Sequence, residues 1–396
     1  MIPTHYAKNA IHFLTIFLAF VTPLSIALIN LSLALILIIF LLHRDLFASL
    51  KIMVKNPLAI AALAYVGVYV FGLFYPHYIG FTNPYFHEAL PLLALPVLLV
   101  MLDNRTIKPA LIGYVAGALI SALFSYGIIL GYYESYFYAG HLSYFTNRLD
   151  HAPQMAFAFI LTLTMVLFWS LSPLQKRLLV VLNLLFLFNV FLTDGRAGQI
   201  GFVLVMALFL YWYFHGKPLH LLAGITALVL FLGTMYYANN TFSSRIDEAV
   251  DEAIHYEEKL NTSAGLRIHM WIDSWRLFQA HPLLGTGTSS YGDEAIKLRQ
   301  RLGKVMLNHA HPHNQYLFSA VQFGIVGLAA LLSLFVALFW SARRSPRDEY
   351  TFLRIAMPTM FMVIMLSDVY LSHTMTVALF ILIAALLYRP PYVKQS

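Results

Sequence analysis

Long apolar runs recur along the chain from Ile11 to Leu387, and most of the polar stretches between them are short. A straight helix needs about 20 apolar residues to cross a bilayer, and lipid offers no partner to an unpaired backbone group, so runs of this kind read as membrane helices. The pattern predicts about twelve, at 10–22, 24–42, 57–75, 88–102, 109–131, 153–171, 178–193, 197–214, 218–236, 314–341, 352–368 and 371–388. Only Thr22-Pro23 divides the first two, and the first reads as a retained helix because another run follows it directly. One long hydrophilic stretch, 237–313, interrupts the series and carries helical signals of its own. In Ser244–Lys259, Ile246, Val250 and Ile254 recur every four residues among acids. Thr262 or Ser263 is placed to cap a second helix that holds Trp271, Trp275 and Phe278 and ends near Ala280. Gly292–Leu302 opens with Asp293 and Glu294 and closes with Arg299 and Arg301, in keeping with the helix dipole. The expected fold class is an all-α integral membrane protein, with nine spans in 1–236, a helical loop domain at 237–313 and spans ten to twelve in 314–396.

Composition supports that pattern and narrows it. Apolar residues make up 60% of the chain, charged residues 11%, and mean hydropathy is +0.72, which excludes an ordinary soluble domain and a disordered chain alike. A formal charge of +7 does not by itself point to nucleic acid, because in a membrane protein the placement of Lys and Arg matters more than their sum. With the N-terminus inside, 15 of the 25 basic residues fall on cytoplasmic connections, from Lys8 to Arg389 and Lys394. Eight lie in the long loop, and the short outer turns keep only Arg148 and Arg196. Both termini are therefore expected in the cytoplasm, and topology does not require those two outer arginines. The absence of cysteine excludes disulfides, thiol catalysis and Cys-ligated zinc.

Three segments carry candidate chemistry. In Thr193-Asp194-Gly195-Arg196-Ala197-Gly198, Arg196 reads either as an arginine snorkelling to headgroups or as an anion ligand. Its planar fork matches phosphate, glycines allow backbone N–H groups to approach, and the turn opens a helix whose N-terminus is positive. In Gly265–Trp271, helical spacing sets Arg267 on a face with Trp271 and Ser274; it covers the indole or pairs with an acid, or it is a second phosphate ligand. Arg276 and Arg148 are weaker candidates of the same kind. In Asn308-His309-Ala310-His311-Pro312-His313-Asn314, no carboxylate is near in sequence, so no metal site is expected. His313 reads as a general base at a helix N-terminus, which disfavours the imidazolium; Asn314 orients a hydroxyl or the chain, one or two of the three histidines are structural, and His311 is a secondary site candidate. His281-Pro282-Leu283-Leu284-Gly285-Thr286-Gly287 lacks a Walker lysine, and no nucleotide fingerprint occurs. Asp194, Asp368 and His373 also fall on the outer side, Asp368 either paired with an arginine or solvated. Tyr132–Tyr144 reads as an aromatic belt whose tyrosines suit sugars or lipid equally. Two outer arginines, a histidine and a soluble cap together suit a substrate with a diphosphate headgroup, a lipid tail and a group to transfer.

These segments resemble the O-antigen ligases, within the O-antigen ligase and polymerase superfamily. The likeness lies in the Gly195-Arg196 turn, in Arg267…Trp271…His281-Pro282-Leu283-x-Gly285-x-Gly287, and in His313-Asn314 followed by nine residues and Gly324-Ile325-Val326-Gly327. The resemblance implies an inverting glycosyltransferase of the inner membrane, working at the periplasmic side without metal, nucleotide or other cofactor. Its partners would be O-antigen on undecaprenyl diphosphate as donor and lipid A–core as acceptor, in a membrane-lipid setting and without nucleic acid. Arg196 and Arg267 match the family's diphosphate-binding arginines and His313 its base. Asp194 stands where the family commonly has a small residue. An O-antigen polymerase and a protein O-oligosaccharyltransferase share the donor chemistry. A polyprenyl-lipid or polysaccharide transporter is a rival of another class, and it predicts charges near the bilayer midplane, which are nearly absent.

Overall fold

The computed structural model describes residues 1–75, 84–135, 140–255, 258, 262–303 and 309–388. Lys259, Asn308, Arg389, Lys394 and the middle of the Tyr132–Tyr144 segment lie outside the described residues. Those described form helices and no strand. In chain order they are α1 (Thr4–Val21), α2 (Ile26–Leu42), α3 (Leu46–Met53), α4 (Pro57–Gly72), α5 (Pro84–Ala89), α6 (Ala94–Met101), α7 (Ile107–Ile129), α8 (Arg148–Phe168), α9 (Pro173–Leu192), α10 (Arg196–Phe214) and α11 (Pro218–Ala238). Then follow α12 (Asn240–Ile254), α13 (Ser263–Ala280), α14 (Tyr291–Arg301), α15 (Gln315–Arg344), α16 (Leu353–Ile364) and α17 (Thr374–Leu387).

Six of these helices are long and apolar enough to cross a membrane: α7 with its lead-in from Asn104, α8, α9, α10, α11 and α15. The pair α3 and α4, bent by 93°, makes a seventh if counted as one span. Further apolar helices are shorter: Ile26–Leu42, His87–Met101, Leu353–Ile364 and Thr374–Leu387. Helix α17 is buried on every side from Met375 to Leu387, so it forms the centre of the bundle. By contrast α11 buries 6% of its apolar window and α9 22%, and their remaining Leu, Val and Phe side chains face outward. An apolar exterior of that extent is a lipid-facing one.

Local chemistry explains where the helices begin. Ser172 caps α9 in a reciprocal capping box with Gln175, with Pro173 as the first helical residue. Asn147 caps α8 by accepting from the N–H groups of Leu149 and Asp150, so the helix starts ahead of Pro153, which the sequence pattern took as its beginning. Asn314 caps α15 by accepting from Tyr316 and Leu317.

Span ten is expected as one continuous helix, and the structure corrects this. Gly324 takes φ +62°, which breaks α15 and frees backbone groups on both sides. The loop after α13 satisfies them: Thr286 and Gly287 N–H groups donate to the carbonyls of Val321 and Gln322, and Ile325 N–H donates to Pro282 O at 2.8 Å. A Cβ at Gly324 would run into the Leu283 carbonyl, and one at Gly285 into the backbone of Gln322 and Phe323. The Gly-rich 281–287 motif is therefore a clamp on a broken membrane helix. Thr288 extends it to α4, donating from its hydroxyl to Tyr69 O at 2.7 Å.

Candidate active site

Arg196 and Arg267 lie far apart in the sequence, yet both line one cleft, together with Arg148, Leu149, Asp194, Ala197, Arg245, Ser263 and Ser367. Its empty space is about 390 Å³ and opens to solvent. Four guanidinium groups come from four elements: Arg148 begins α8, Arg196 begins α10, Arg245 sits on α12 and Arg267 on α13. Asp194 is partly buried between them, its Oδ2 accepting from Arg148 Nη1 at 2.8 Å and lying 3.9 Å from Arg245. This gives Asp194 a definite part: it orders two of the arginines. Arg196 is 3.8 Å from Glu248, which Arg245 also approaches at 3.3 Å. Arg267 makes no ion pair or hydrogen bond among the described residues. With four cations against one lining carboxylate, the cleft attracts an anion of more than one charge.

The helix N-termini add to this. No side chain caps α10 at Gly195, so its first N–H groups stay available beside Arg196 and Ala197. The two glycines of the turn also have a use in packing. A Cβ at Gly195 would overlap Ala152 and the Arg148 carbonyl, and one at Gly198 would overlap the Ala152–Pro153 backbone. Their bare faces let α10 press against α8, which brings Arg148 and Arg196 together. Arg276 takes no part; it is on α13, 3.9 Å from Asp273.

His313 stands in a tight turn, not inside a helix. Its φ of +49° is uncommon for a residue with a side chain, and its N–H donates to His311 Nδ1 at 3.3 Å. Trp271 Nε1 donates to Pro312 O at 3.1 Å, tying the cap to this turn. Asn314 orients the chain: besides capping α15 it donates to Leu366 O at 3.2 Å. Gln315 holds the same 365–371 connection, its N–H donating to Met365 O and its Oε1 accepting from Leu371 N–H.

That connection delivers Asp368, and two expectations are corrected here. Among the described residues Asp368 pairs with no arginine, and it is fully buried; its Oδ2 is 3.0 Å from His313 Nδ1. A carboxylate is therefore close to the histidines, and His311, His313 and Asp368 each offer one ligand atom within 4.8 Å of the others. Asp368 Oδ1 accepts from Val369 N–H and lies 3.6 Å from His311 Nδ1 and 3.8 Å from His373 Nε2. His373 Nδ1 is in turn 3.4 Å from Asp150 Oδ1 at the start of α8. Burial opposes the Asp368 charge, but the His313 hydrogen bond and the potential of the surrounding histidines outweigh it and hold the carboxyl below its usual range. Burial likewise opposes the His373 cation, and Asp150 with Asp368 overcomes it, raising the group to about 9. Burial pushes His311 down to about 3, against the pull of Asp368. Near neutrality the cluster thus holds ionised Asp368, cationic His373 and neutral His311. His313 Nε2 has no protein partner among the described residues and is the nitrogen available to a substrate.

The sequence did not mark Arg245, Asp150 or the pairing of Asp368 with His313. Their signal was present in part: Asp150 and Asp368 are single carboxylates at the ends of apolar runs, where burial is costly without a partner. The cleft and the histidine cluster adjoin at Ser367, which lines the cleft and precedes Asp368 in the chain.

Residues 181–332 match the family described as O-antigen ligase. A stretch of 148 residues is 30% identical to an uncharacterized protein of Haemophilus influenzae, covering 36% of this chain and 37% of that protein, well under two thirds of its length. The matched stretch contains Arg196, Arg267, the 281–287 clamp, His313 and Gly324, and over those residues the chain is similar to the O-antigen ligase family.

Proposed function

We propose that the protein is an O-antigen ligase, moving a glycan from a polyprenyl diphosphate, undecaprenyl diphosphate in a Gram-negative inner membrane, to a sugar hydroxyl of lipid A–core. The observation that carries this is the meeting of Arg196 and Arg267 in one cationic cleft beside the His313–Asp368 pair. The arginines bind the donor diphosphate and stabilise the charge that grows as it leaves. His313 Nε2 takes the proton of the acceptor hydroxyl, and its oxygen forms a bond to the anomeric carbon as the bond from that carbon to the diphosphate oxygen breaks. Attack from the face opposite the leaving group inverts the centre. Asp368 holds Nδ1–H and stabilises the imidazolium that forms, as the carboxylate does in a hydrolase triad. In this reading about twelve helices span the membrane and both termini are cytoplasmic. Helices α12–α14, within 237–313, form the periplasmic cap that supplies Arg245 and Arg267.

The test is reconstituted transfer with lipid-linked O-antigen and lipid A–core, in EDTA and without nucleotide. Product on lipid A–core with wild type, lost in His313→Ala and Arg196→Ala, supports the ligase. Longer lipid-linked chains from donor alone would assign a polymerase. Activity abolished by EDTA and restored by a divalent cation would turn the His311–His313–Asp368 cluster into a metal centre. No transfer of either kind would favour a transporter.

A further inference from the structure

A second pocket lies at the same end of the bundle as the arginine cleft. It is lined by Phe124 of α7 and by Tyr133, Glu134, Ser135 and Tyr144 of the segment joining α7 to α8, with about 710 Å³ of empty space open to solvent. We propose that this pocket is a saccharide subsite, which takes a pyranose unit of a glycan engaged at the neighbouring cleft. The inference rests on the glycosyl-transfer reading for its purpose, but its chemistry stands apart from it.

The pocket is built rather than incidental. The Tyr133 ring stands edge-on to Tyr144 at 5.7 Å, and Phe124 lies 6.0 Å from Tyr133 and 4.9 Å from Tyr144. Gly127 is what admits the Tyr133 ring, since a Cβ there would overlap its hydroxyl. That hydroxyl is fixed by donating to Phe124 O at 3.0 Å. Ser125 Oγ donates to Leu142 O at 2.6 Å and Ser135 Oγ to Ser143 O at 2.8 Å, which ties Leu142 to α7 and Ser135 to Ser143.

The lining selects a ligand class. A pyranose has an apolar C–H face and a rim of hydroxyls, which suits an aromatic ring face beside a hydrogen-bond acceptor. Glu134 is exposed and carries no ion pair or hydrogen bond among the described residues, so its oxygens are free to accept from hydroxyls. An acyl chain has no use for that carboxylate, and a phospholipid phosphate is repelled by it. The link to the reacting groups is short. Ser143 Oγ donates to Thr146 O, Asn147 caps α8 through Leu149 and Asp150, Arg148 lines the cleft, and Asp150 pairs with His373.

The experiment uses the full chain in detergent without lipid-linked donor. Saturation of its aromatic protons is read out on two lipid-free probes, core oligosaccharide and O-antigen oligosaccharide, with titration for Kd. Wild type is expected to transfer saturation to sugar C–H groups. Tyr133→Ala is expected to weaken binding about tenfold and Glu134→Gln severalfold. Binding of core oligosaccharide marks an acceptor subsite and binding of O-antigen a donor subsite; either supports the proposal. Glu134→Gln keeps the pocket's shape, so its effect survives even if Tyr133→Ala disturbs the loop. No binding of either probe, equal binding in both pocket variants, or displacement by phosphatidylethanolamine would overturn it. Sugar binding without any transfer would remove the ligase reading and leave the subsite, and transfer without binding at this pocket would do the reverse.

Discussion

Replacing Asp368 by Asn removes one charge and keeps the shape. With the Asn oxygen kept on His313 Nδ1–H, which Asp368 meets through Oδ2, the amide NH2 takes the place of the Oδ1 that accepts from Val369 N–H, so one hydrogen bond of the turn is lost. What is lost at His313 is the charge-assisted part of a 3.0 Å hydrogen bond that strengthens when His313 becomes an imidazolium. Hydrogen bonds to charged groups are worth about 1.5–3 kcal/mol, and 1.36 kcal/mol is tenfold in rate, so kcat is expected to fall about 10- to 150-fold. The full Coulomb energy of such a pair is larger, but His313 is partly exposed and solvent screens it. Donor KM is expected to stay within about twofold, because the proposed function assigns the diphosphate to the arginines and not to this pair. The assay is steady-state transfer onto lipid A–core with donor varied, beside thermal unfolding as a check on folding. A variant with wild-type kcat and normal stability, alongside an inactive His313→Ala, would refute the role given to Asp368.

Other perturbations probe the scaffold. His373 is raised to about 9 from an unfolded value near 6.5, so the folded state binds its proton more tightly. Its contribution is complete below about pH 6.5 and is lost as pH rises through about 9. His373→Gln is therefore expected to lower the melting temperature most at pH 6 and little at pH 9.5, and a deficit that grows with pH would contradict this. Gly324→Ala forces a side chain into φ +62° against the Leu283 carbonyl; it is expected to cost about 2–5 kcal/mol, seen as a lower melting temperature. In the cap, Arg299 Nε meets Asp273 Oδ2 at 2.9 Å with both side chains buried. Asp273→Ala is expected to destabilise by about 3–5 kcal/mol, and the apolar pair Asp273→Leu with Arg299→Met to recover most of it. Urea unfolding of the three chains distinguishes that asymmetry from two independent losses.

Helices were legible where apolar length and end chemistry agree, as at Pro218 for α11, whereas α9 begins at Pro173, ahead of the expected 178, because its first turn is polar and its start is set by the Ser172 capping box. The break in α15 was not, because Gly324 reads as an ordinary helix glycine until Pro282–Gly287 is seen to satisfy the freed backbone. Arg196, Arg267 and His313 stood out as polar groups that topology did not require. Their setting did not, since Asp368 reaches His313 only when the connection after α16 folds back over the start of α15. Arg299 shows the opposite case: it fits the helix dipole at the end of α14, and its larger use is the buried pair with Asp273.

The division of labour between the cleft and the histidine pair is tested most directly by donor binding without turnover. Equilibrium binding of lipid-linked O-antigen is measured, with no acceptor present, for wild type, His313→Ala, Asp368→Asn, Arg196→Ala and Arg267→Ala. His313→Ala and Asp368→Asn are expected to bind donor as wild type does while failing to transfer, and both arginine variants to bind it at least about tenfold more weakly. Donor binding lost in His313→Ala, or kept in Arg267→Ala, would contradict the assignment of diphosphate to the arginine cleft and of proton transfer to His313.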